Sequence, residues 1–209
     1  MKQTLTSISL LLFLIFYVVS CTAPKFTFEH GGLSEIDFNQ GKWILNRPIT
    51  FGIDDDQYEY VLKEWKSLIG DSLYSLYDLR QNSLISEKIK FELDDKDLEN
   101  IGLGTDCDYI ITTKIEILNE ELSALSPPRT TIDGATTIRS NEATVHVQIY
   151  DLKDKNLISS QKAIGSIGEV ARNDVKNGIS MALTSKGIAI NGIDEIINYY
   201  KKNKKSRHD

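Results

Sequence analysis

Residues 143–165 have the sequence ATVHVQIYDLKDKNLISSQKAIG. Apolar and polar residues alternate through Ala143–Asp151, which gives an extended chain one apolar and one polar face. A polar turn follows at Lys153–Asn156, and Leu157–Gly165 then returns as a second strand. The stretch therefore predicts an antiparallel β-hairpin.

Further strands and helices are predicted on both sides of this hairpin. Segments with the composition of strands are Lys42–Phe51, in which Pro48 marks an edge or a bend, Lys88–Leu93 and Cys107–Leu118. Helices are predicted where apolar residues recur every three to four positions, or where a capping residue and glycines bound a segment. The predicted helices are Tyr58–Ile69, which Ser72–Leu79 can extend; a short helix from Asp94 or Asp95 to Ile101, ended by Gly102 and Gly104; Val170–Leu183; and a last helix from Asn191. We therefore expect an α+β fold with one mixed, mainly antiparallel sheet and helices packed on one face.

Three consecutive aspartates, Asp54–Asp56, precede the first predicted helix. Apolar residues of that helix, including Val61 and Trp65, share one helical face. The aspartates lack the alternating spacing of a calcium-binding loop, whereas negative charge stabilises a helix N-terminus. We therefore expect them to cap the helix.

The connection 119–141 is long for a plain link between two strands. It contains a near-mirror repeat, RTTIDGATTIR at Arg129–Arg139, which is centred on Asp133-Gly134 and follows Pro127-Pro128. Asp-Gly favours a type I′ hairpin turn. Two interpretations remain open: the neighbouring strands continue into one long meander, or a hairpin projects from the sheet as a contact arm.

The N-terminus has the composition of an export signal. Lys2 supplies one positive charge, and the apolar run Leu5–Val19 is shorter than the roughly 20 residues that a spanning helix needs. The run ends in Val18-Val19-Ser20-Cys21, which resembles the lipobox of bacterial lipoproteins. The resemblance implies that the Cys21 thiol receives a diacylglyceryl group, that a peptidase cuts before Cys21, and that the new amine is acylated, for example with palmitate. The alternatives are an uncleaved anchor helix and an ordinary export signal followed by a chance cysteine.

The residues after Cys21 bear on the final location. Thr22–Lys25 is polar, as expected of a tether just outside a bilayer, and Thr22 in place of aspartate resembles the pattern sorted to the outer membrane. The resemblance thus implies a lipid-anchored protein of the outer membrane that faces the periplasm. The predicted organisation is a signal peptide at 1–20, a lipidated tether and lead-in at 21–41, a single α+β domain at 42–200, and a basic tail at 201–209.

Charge is distributed unevenly along the chain, whose net charge is −6. Five basic residues crowd the last nine positions, opposed only by Asp209, and without these and Lys2 the chain has 18 basic and 29 acidic residues. An acidic body argues against nucleic acid as a partner. The basic tail is either a soluble helix end or a contact with an anionic envelope polymer or lipid head groups.

Few residues form the patterns that catalysis or metal binding requires. His30, His146 and His208 are scattered, and no pair has the spacing of metal ligands, so no metal or cofactor is expected. Ser159–Lys162 matches Ser-x-x-Lys, but it lies on a predicted strand and the Lys-Thr-Gly partner motif is missing. Cys107 opens an apolar strand and is expected to be a buried small residue. The sequence therefore predicts no catalytic residue, and lipidation at Cys21 is its one predicted site.

Two stretches resemble a family of envelope domains. Gly104–Ile115 is similar to a Gly-x-Asp-Tyr lead-in followed by an apolar strand, and Val145–Ser160 is similar to the next two strands and their polar turn. The family is the mixed α/β domain of the Tol-system periplasmic protein, curli-secretion lipoproteins and penicillin-binding-protein activator lipoproteins. The resemblance covers about Trp43–Leu183 and implies a module without catalytic activity that binds envelope proteins.

The leading hypothesis is thus a lipid-anchored envelope lipoprotein that is not an enzyme and acts as a binding or assembly module. Its expected partners are the bilayer, through acylated Cys21, and an envelope protein. The alternatives are a homo-oligomeric secretion component and an enzyme that acts on cell-wall material through an unrecognised site.

Overall fold

A computed structural model describes residues 23–32, 35–49, 54–80, 89–121, 138–170 and 183–204. The strands are β1 (Lys25–Gly32), β2 (Trp43–Leu45), β3 (Leu73–Ser75), β4 (Tyr109–Glu120), β5 (Ile138–Asp151) and β6 (Asn156–Val170). The helices are α1 (Asp55–Ile69), α2 (Leu76–Arg80), α3 (Asp95–Thr105) and α4 (Ser185–Lys202).

The strands form one sheet in the order β1-β6-β5-β4-β2-β3. The pairs β1–β6, β6–β5 and β5–β4 are antiparallel, whereas β2 runs parallel to both β3 and β4. The hairpin predicted from 143–165 is present as β5 and β6, with Lys155 in the left-handed region at the turn (φ 53°). The prediction of an α+β fold with a mixed, mainly antiparallel sheet is confirmed.

The sheet carries a hydrophobic core on each face. Trp43 and Val147 lie on the face covered by the two longest helices, α1 and α4. Ile44 and Tyr150 lie on the other face, where they contact residues of the shorter helices α2 and α3. Because side chains alternate along a strand, the adjacent residues Trp43 and Ile44 belong to different cores. The long helices thus pack on one face as expected, and the short helices cover part of the other.

Aspartates begin α1 and α3, as the sequence predicts. The Gln57 backbone N–H donates to Asp54 Oδ1 at 2.8 Å, and the Gln57 side-chain oxygen accepts from the Asp54 N–H at 3.4 Å. Asp94 and Asp97 form the same reciprocal pair, with distances of 2.8 and 3.4 Å. Each pair satisfies N–H groups that the first helical turn leaves without a partner.

The prediction that α3 ends near Ile101 is wrong, because the helix continues to Thr105. Gly102 lies against the β5–β6 turn, where a Cβ would be 3.5 Å from Leu152 Cβ. Asp106 adopts the left-handed conformation and ends the helix instead. Ile101 packs in the core that contains Ile44 and Tyr150, and this packing therefore outweighs the helix-weakening effect of glycine.

The helical extension proposed for 72–79 is also wrong. Gly70 has φ 88° and stops α1, after which Leu73 and Ser75 pair in parallel with Trp43 and Leu45. The segment predicted as a helical extension therefore forms the short strand β3 first and becomes helical only at Leu76.

Residues 89–93 do not form the predicted strand. Ile89 and Phe91 are buried, so their alternation is real, but their carbonyls bond to side chains rather than to a neighbouring strand. Asn46 Nδ2 donates to the Ile89 carbonyl at 3.3 Å, and Thr112 Oγ1 donates to the Phe91 carbonyl at 3.0 Å. The alternation thus reflects burial on the sheet without strand pairing.

The sheet begins inside the segment 21–41 that was predicted as a tether and lead-in. Lys25–Gly32 pairs with β6 along its whole length. Further on, the Phe38 ring packs between Trp43 and Tyr200, with centroids 5.1 and 5.4 Å away. This part of the prediction is corrected, because a short run that alternates aromatic and polar residues forms an edge strand here.

The last helix starts earlier than predicted, at Ser185 instead of Asn191, with Thr184 as its cap. Gly192 lets this helix approach the sheet, since a Cβ there would lie 3.1 Å from Val145 Cγ2.

Among the described helices, none is long and apolar enough to cross a membrane. Several predictions fall outside the described residues: the signal with Cys21, residues 122–137 of the insert, most of the helix Val170–Leu183, and the tail beyond Lys204.

Candidate functional site

A cleft of about 770 Å³ opens beside the parallel strands β2 and β3. Asn46 and Arg47 follow the carboxyl end of β2, and Ser75 ends β3. Residues of α1 between Asp55 and Lys66 also line the cleft. In sheets with parallel strands, ligands bind where the carboxyl ends of strands meet helices. The lining residues are Asn46, Arg47, Asp55, Tyr58, Glu59, Leu62, Lys66, Ser75, Leu76, Tyr77, Asp78 and Arg80.

The floor of the cleft is apolar and aromatic. Tyr58, Leu62 and Leu76 are buried there. Burial raises the pKa of the Tyr58 hydroxyl to about 12, so the phenol stays neutral at physiological pH. Its hydroxyl lies 3.5 Å from the Leu45 carbonyl, at the long limit of a hydrogen bond.

The rim carries charges of both signs. Arg47, Lys66 and Arg80 face the cleft together with Asp55, Glu59 and Asp78. Arg47 Nη2 lies 2.8 Å from Asp55 Oδ1, and its guanidinium lies over the Tyr58 ring, 5.6 Å from the centroid. The guanidinium thus lies between a carboxylate and an aromatic face.

Ser75 and Asp78 form a second fixed element at the start of α2. Ser75 Oγ donates to Asp78 Oδ2 at 2.7 Å and accepts from the Asp78 backbone N–H at 3.1 Å. The hydroxyl is therefore engaged in capping, and it has no general base of the His type beside it among the lining residues. Next to this cap, the Tyr77 side chain is 69% exposed.

The chemistry of the cleft suits recognition of a polar ligand. It offers two guanidinium groups, an ammonium, carboxylates and an exposed aromatic ring around an apolar floor. In the described segments, no group of three His, Cys, Asp or Glu side chains is arranged to hold a metal ion. These groups can form ion pairs, hydrogen bonds and stacking contacts with a bound chain.

The residues singled out in the sequence lie elsewhere. His146 is half-buried on the polar face of β5, where a ring nitrogen lies 2.7 Å from Ser160 Oγ and the ring packs on Phe91. Burial, and then the Lys162 charge, lower the pKa of His146. His30 hydrogen-bonds Gln161 and stacks on Tyr199, with centroids 4.4 Å apart. Neither histidine joins the cleft.

Ser159 and Lys162 point to opposite faces of β6. Ser159 Oγ lies 2.8 Å from the Tyr200 hydroxyl in the core, whereas Lys162 Nζ lies 3.4 Å from Glu29 Oε2 on the other face. The Ser-x-x-Lys spacing therefore does not bring the two side chains together on this strand.

Cys107 is buried just before β4, as predicted, and is a free cysteine. Its Sγ lies 3.6 Å from the Thr105 carbonyl oxygen, and burial raises the pKa of the thiol. A raised pKa keeps the sulfur protonated and unreactive.

The sequence patterns predict the elements around the cleft but not a site there. Arg47 lies inside Lys42–Phe51, which the sequence predicts as one strand, whereas β2 ends at Leu45 and leaves Arg47 beyond the strand. Tyr77 lies in the segment Ser72–Leu79, which the sequence predicts as a helical extension, and Arg80 follows directly after it. The usable signal in the sequence is an apolar strand segment followed by an aspartate-capped helix, because these two elements contribute much of the lining.

Comparison with known proteins finds similarity in solved structures alone. The sequence matches no known family profile and no curated protein. A PelC dodecamer from Paraburkholderia phytofirmans aligns at 12% identity and a TM-score of 0.46, covering 84% of this chain and 97% of that one. The lipoprotein GNA1162 from Neisseria meningitidis aligns at 12% identity and a TM-score of 0.34, covering 77% of this chain and 99% of that one. At these identities and TM-scores, the alignments transfer no function, partner or assembly to this chain.

Proposed function

We propose that this protein is a lipid-anchored lipoprotein of the bacterial cell envelope, where it acts as a binding module without catalytic activity. The observation that carries the proposal is the resemblance of Val18–Cys21 to a lipobox, followed after three residues by a folded sheet edge at Lys25. Thr22 after the cysteine favours the outer membrane, on its periplasmic side.

The short link between Cys21 and β1 has a geometric consequence. An extended chain spans at most about 3.6 Å per residue, so Lys25 would lie within about 14 Å of a lipidated Cys21. Such an anchor would hold the β1 end of the sheet at the bilayer surface. Several acyl chains make this attachment stable, since each buried methylene contributes about 0.8 kcal/mol.

The cleft supports a role in binding an envelope protein. Its polar groups already bond to each other, as in the Arg47–Asp55 and Ser75–Asp78 pairs. Exposed Tyr77 and the nearby Arg80 are of the residue types that contribute most to protein interfaces. We infer that the partner presents a polar, charged segment to this surface.

Lipid anchoring is tested by replacing Cys21 with serine. Cys21→Ser should move the protein from the membrane fraction to the soluble fraction or to a precursor form, with the domain still folded. Cys107→Ser is the matched control and should stay with membranes, because Cys107 lies in the fold and not in the lipobox. Membrane fractionation of Cys21→Ser identical to that of the unchanged protein, at the same processed size, would refute anchoring.

Binding through the cleft is tested by photo-crosslinking in intact cells. A photoreactive amino acid at Tyr77 should capture one defined envelope protein. The same amino acid at Leu103, which is 82% exposed on α3, is the control and should not capture it. The Arg80→Glu variant should reduce capture from position 77. Equal capture from both positions would refute the cleft as the binding surface.

A further inference from the structure

Strand β1 forms one edge of the six-stranded sheet. It has eight residues, whereas β3 at the other edge has three. Its register with β6 is unbroken from Lys25 to Gly32, without a bulge. Natural edge strands are often short, bulged, charged or interrupted by proline, because a regular edge can pair with another chain. In the part of the chain that the structure describes, no strand pairs with the outer side of β1.

The two faces of β1 differ in character. Phe26 and Phe28 lie on the face of the sheet that α4 covers, and their ring centroids are 6.2 Å apart. Both rings pack against the core between the sheet and helices α1 and α4. Lys25, Thr27 and Glu29 are exposed on the opposite face. This exposed face thus carries one positive charge, at Lys25 two positions before Thr27, and one negative charge, at Glu29 two positions after it.

We propose that β1 is a self-association edge, through which two copies of this chain pair antiparallel about a two-fold axis at Thr27. Two identical antiparallel strands are related by an axis normal to the sheet, which places each residue opposite one on the same face. With Thr27 opposite Thr27, Lys25 lies opposite Glu29 of the second copy, and Phe26 lies opposite Phe28. The Lys25–Glu29 and Phe26–Phe28 pairs each occur twice, and the Thr27–Thr27 pair occurs once.

Charge selects this register over its neighbours. Centring the pair on Glu29 would place two carboxylates opposite each other, which is destabilising. Centring it on Phe28 would place Lys25 opposite Gly31, with no ion pair. The register centred on Thr27 gives two cross-strand ion pairs. Within its own chain, Glu29 already lies 3.4 Å from Lys162 Nζ, so its carboxylate would sit between two ammonium groups.

The pairing is compatible with two lipid anchors in one bilayer. The two Lys25 residues would lie four positions apart along the paired strands, or about 14 Å. The links to both Cys21 residues would therefore start near each other at the membrane. The pairing itself depends on β1 alone and does not require the anchor.

The register is tested by cysteine substitution in the full-length protein, in membranes, under mild oxidation. A disulfide requires Cα atoms within about 7 Å. Thr27→Cys should give a disulfide-linked dimer, because the two residues face each other across the axis. Lys25→Cys alone and Glu29→Cys alone should remain monomeric, since like residues lie about 14 Å apart. The double variant Lys25→Cys/Glu29→Cys should form the dimer again. The unchanged protein is the background control, with Cys107 buried.

The contribution of charge is tested by sizing the detergent-extracted protein over a concentration series. Lys25→Glu should weaken the dimer about tenfold, because it replaces two attractions by repulsions. Lys25→Gln should weaken it less. Lys153→Glu makes the same charge change in the exposed β5–β6 turn and should have no effect. Absence of a Thr27→Cys dimer, or equal crosslinking from positions 25, 27 and 29, would overturn the proposal, as would equal weakening by Lys153→Glu.

Discussion

The hydroxyl oxygens of Ser159 and Tyr200 lie 2.8 Å apart in the core and join β6 to the last turn of α4. Both side chains are completely buried. Gln161 Nε2 donates to Ser159 Oγ at 3.2 Å, and His30 hydrogen-bonds Gln161 at the edge of the sheet. Burial raises the pKa of Tyr200, so its phenol remains a neutral hydrogen-bonding group. This chain of contacts links β1, β6 and α4.

Tyr200→Phe should lower the free energy of unfolding by about 1–3 kcal/mol, because it removes a buried partner of Ser159. Denaturant unfolding followed by Trp fluorescence measures this change, since Trp65 lies beside Tyr200. Tyr199→Phe removes the same atom from a half-buried neighbour and should cost less than about 0.5 kcal/mol. Equal losses in the two variants would contradict the assigned role of the Ser159–Tyr200 contact.

His146 should make the folded state sensitive to mild acid. Burial and Lys162 lower its pKa in the folded state below the ordinary value of about 6.5, so the unfolded chain binds more protons at pH 5–6. The free energy of unfolding should therefore be highest above about pH 6.5 and should fall as the pH is lowered through that value. Unfolding curves from pH 8 to pH 5 measure this loss. His146→Gln keeps a polar group near Ser160 and should show a smaller loss. An identical pH profile would remove His146 as the cause.

Local patterns in the sequence predicted the local structures that they control. The alternation in 143–165 predicted the β5–β6 hairpin, and the aspartates before α1 and α3 predicted their caps. In each case the signal lies within a few residues of the structure that it specifies. The burial of Cys107 followed in the same way, because it stands at the start of an apolar run.

Structures that depend on distant partners were missed. Lys25–Gly32 alternates over few residues, and it becomes a strand because β6, more than 100 positions later, provides its pairing edge. Ile89 and Phe91 alternate too, yet side chains of Asn46 and Thr112 satisfy their carbonyls. Helix α1 connects β2 to β3, and the two strands pair directly in parallel. This pairing brings Arg47, Tyr58 and Ser75 together in the cleft.

Asp54→Ala should lower the free energy of unfolding by about 0.5–2 kcal/mol, because it removes the N-cap of α1. The Asp54 carboxylate accepts from the Gln57 N–H at 2.8 Å. Asp56→Ala is the matched control, since Asp56 adds negative charge to the first turn but is not the N-cap residue. It should cost less than about 1 kcal/mol, and its effect should shrink in salt. A larger loss from Asp56→Ala than from Asp54→Ala would contradict the assigned cap.

Gly165→Ala should destabilise the junction of β1, β6 and α4. Gly165 lies opposite Phe26, and an added methyl would overlap that ring and lie 2.5 Å from Ile188 Cγ2. Such overpacking costs about 1–3 kcal/mol, and β1 would shift first because, among the described strands, it pairs with β6 alone. Thermal unfolding measures the loss, and hydrogen exchange should rise most in residues 25–32. Gly102→Ala is the control, since its methyl meets Leu152 at 3.5 Å, an ordinary contact distance, and alanine favours the helix. It should leave stability unchanged or raise it, so equal destabilisation by both variants would show that the close approach at Gly165 has no special role.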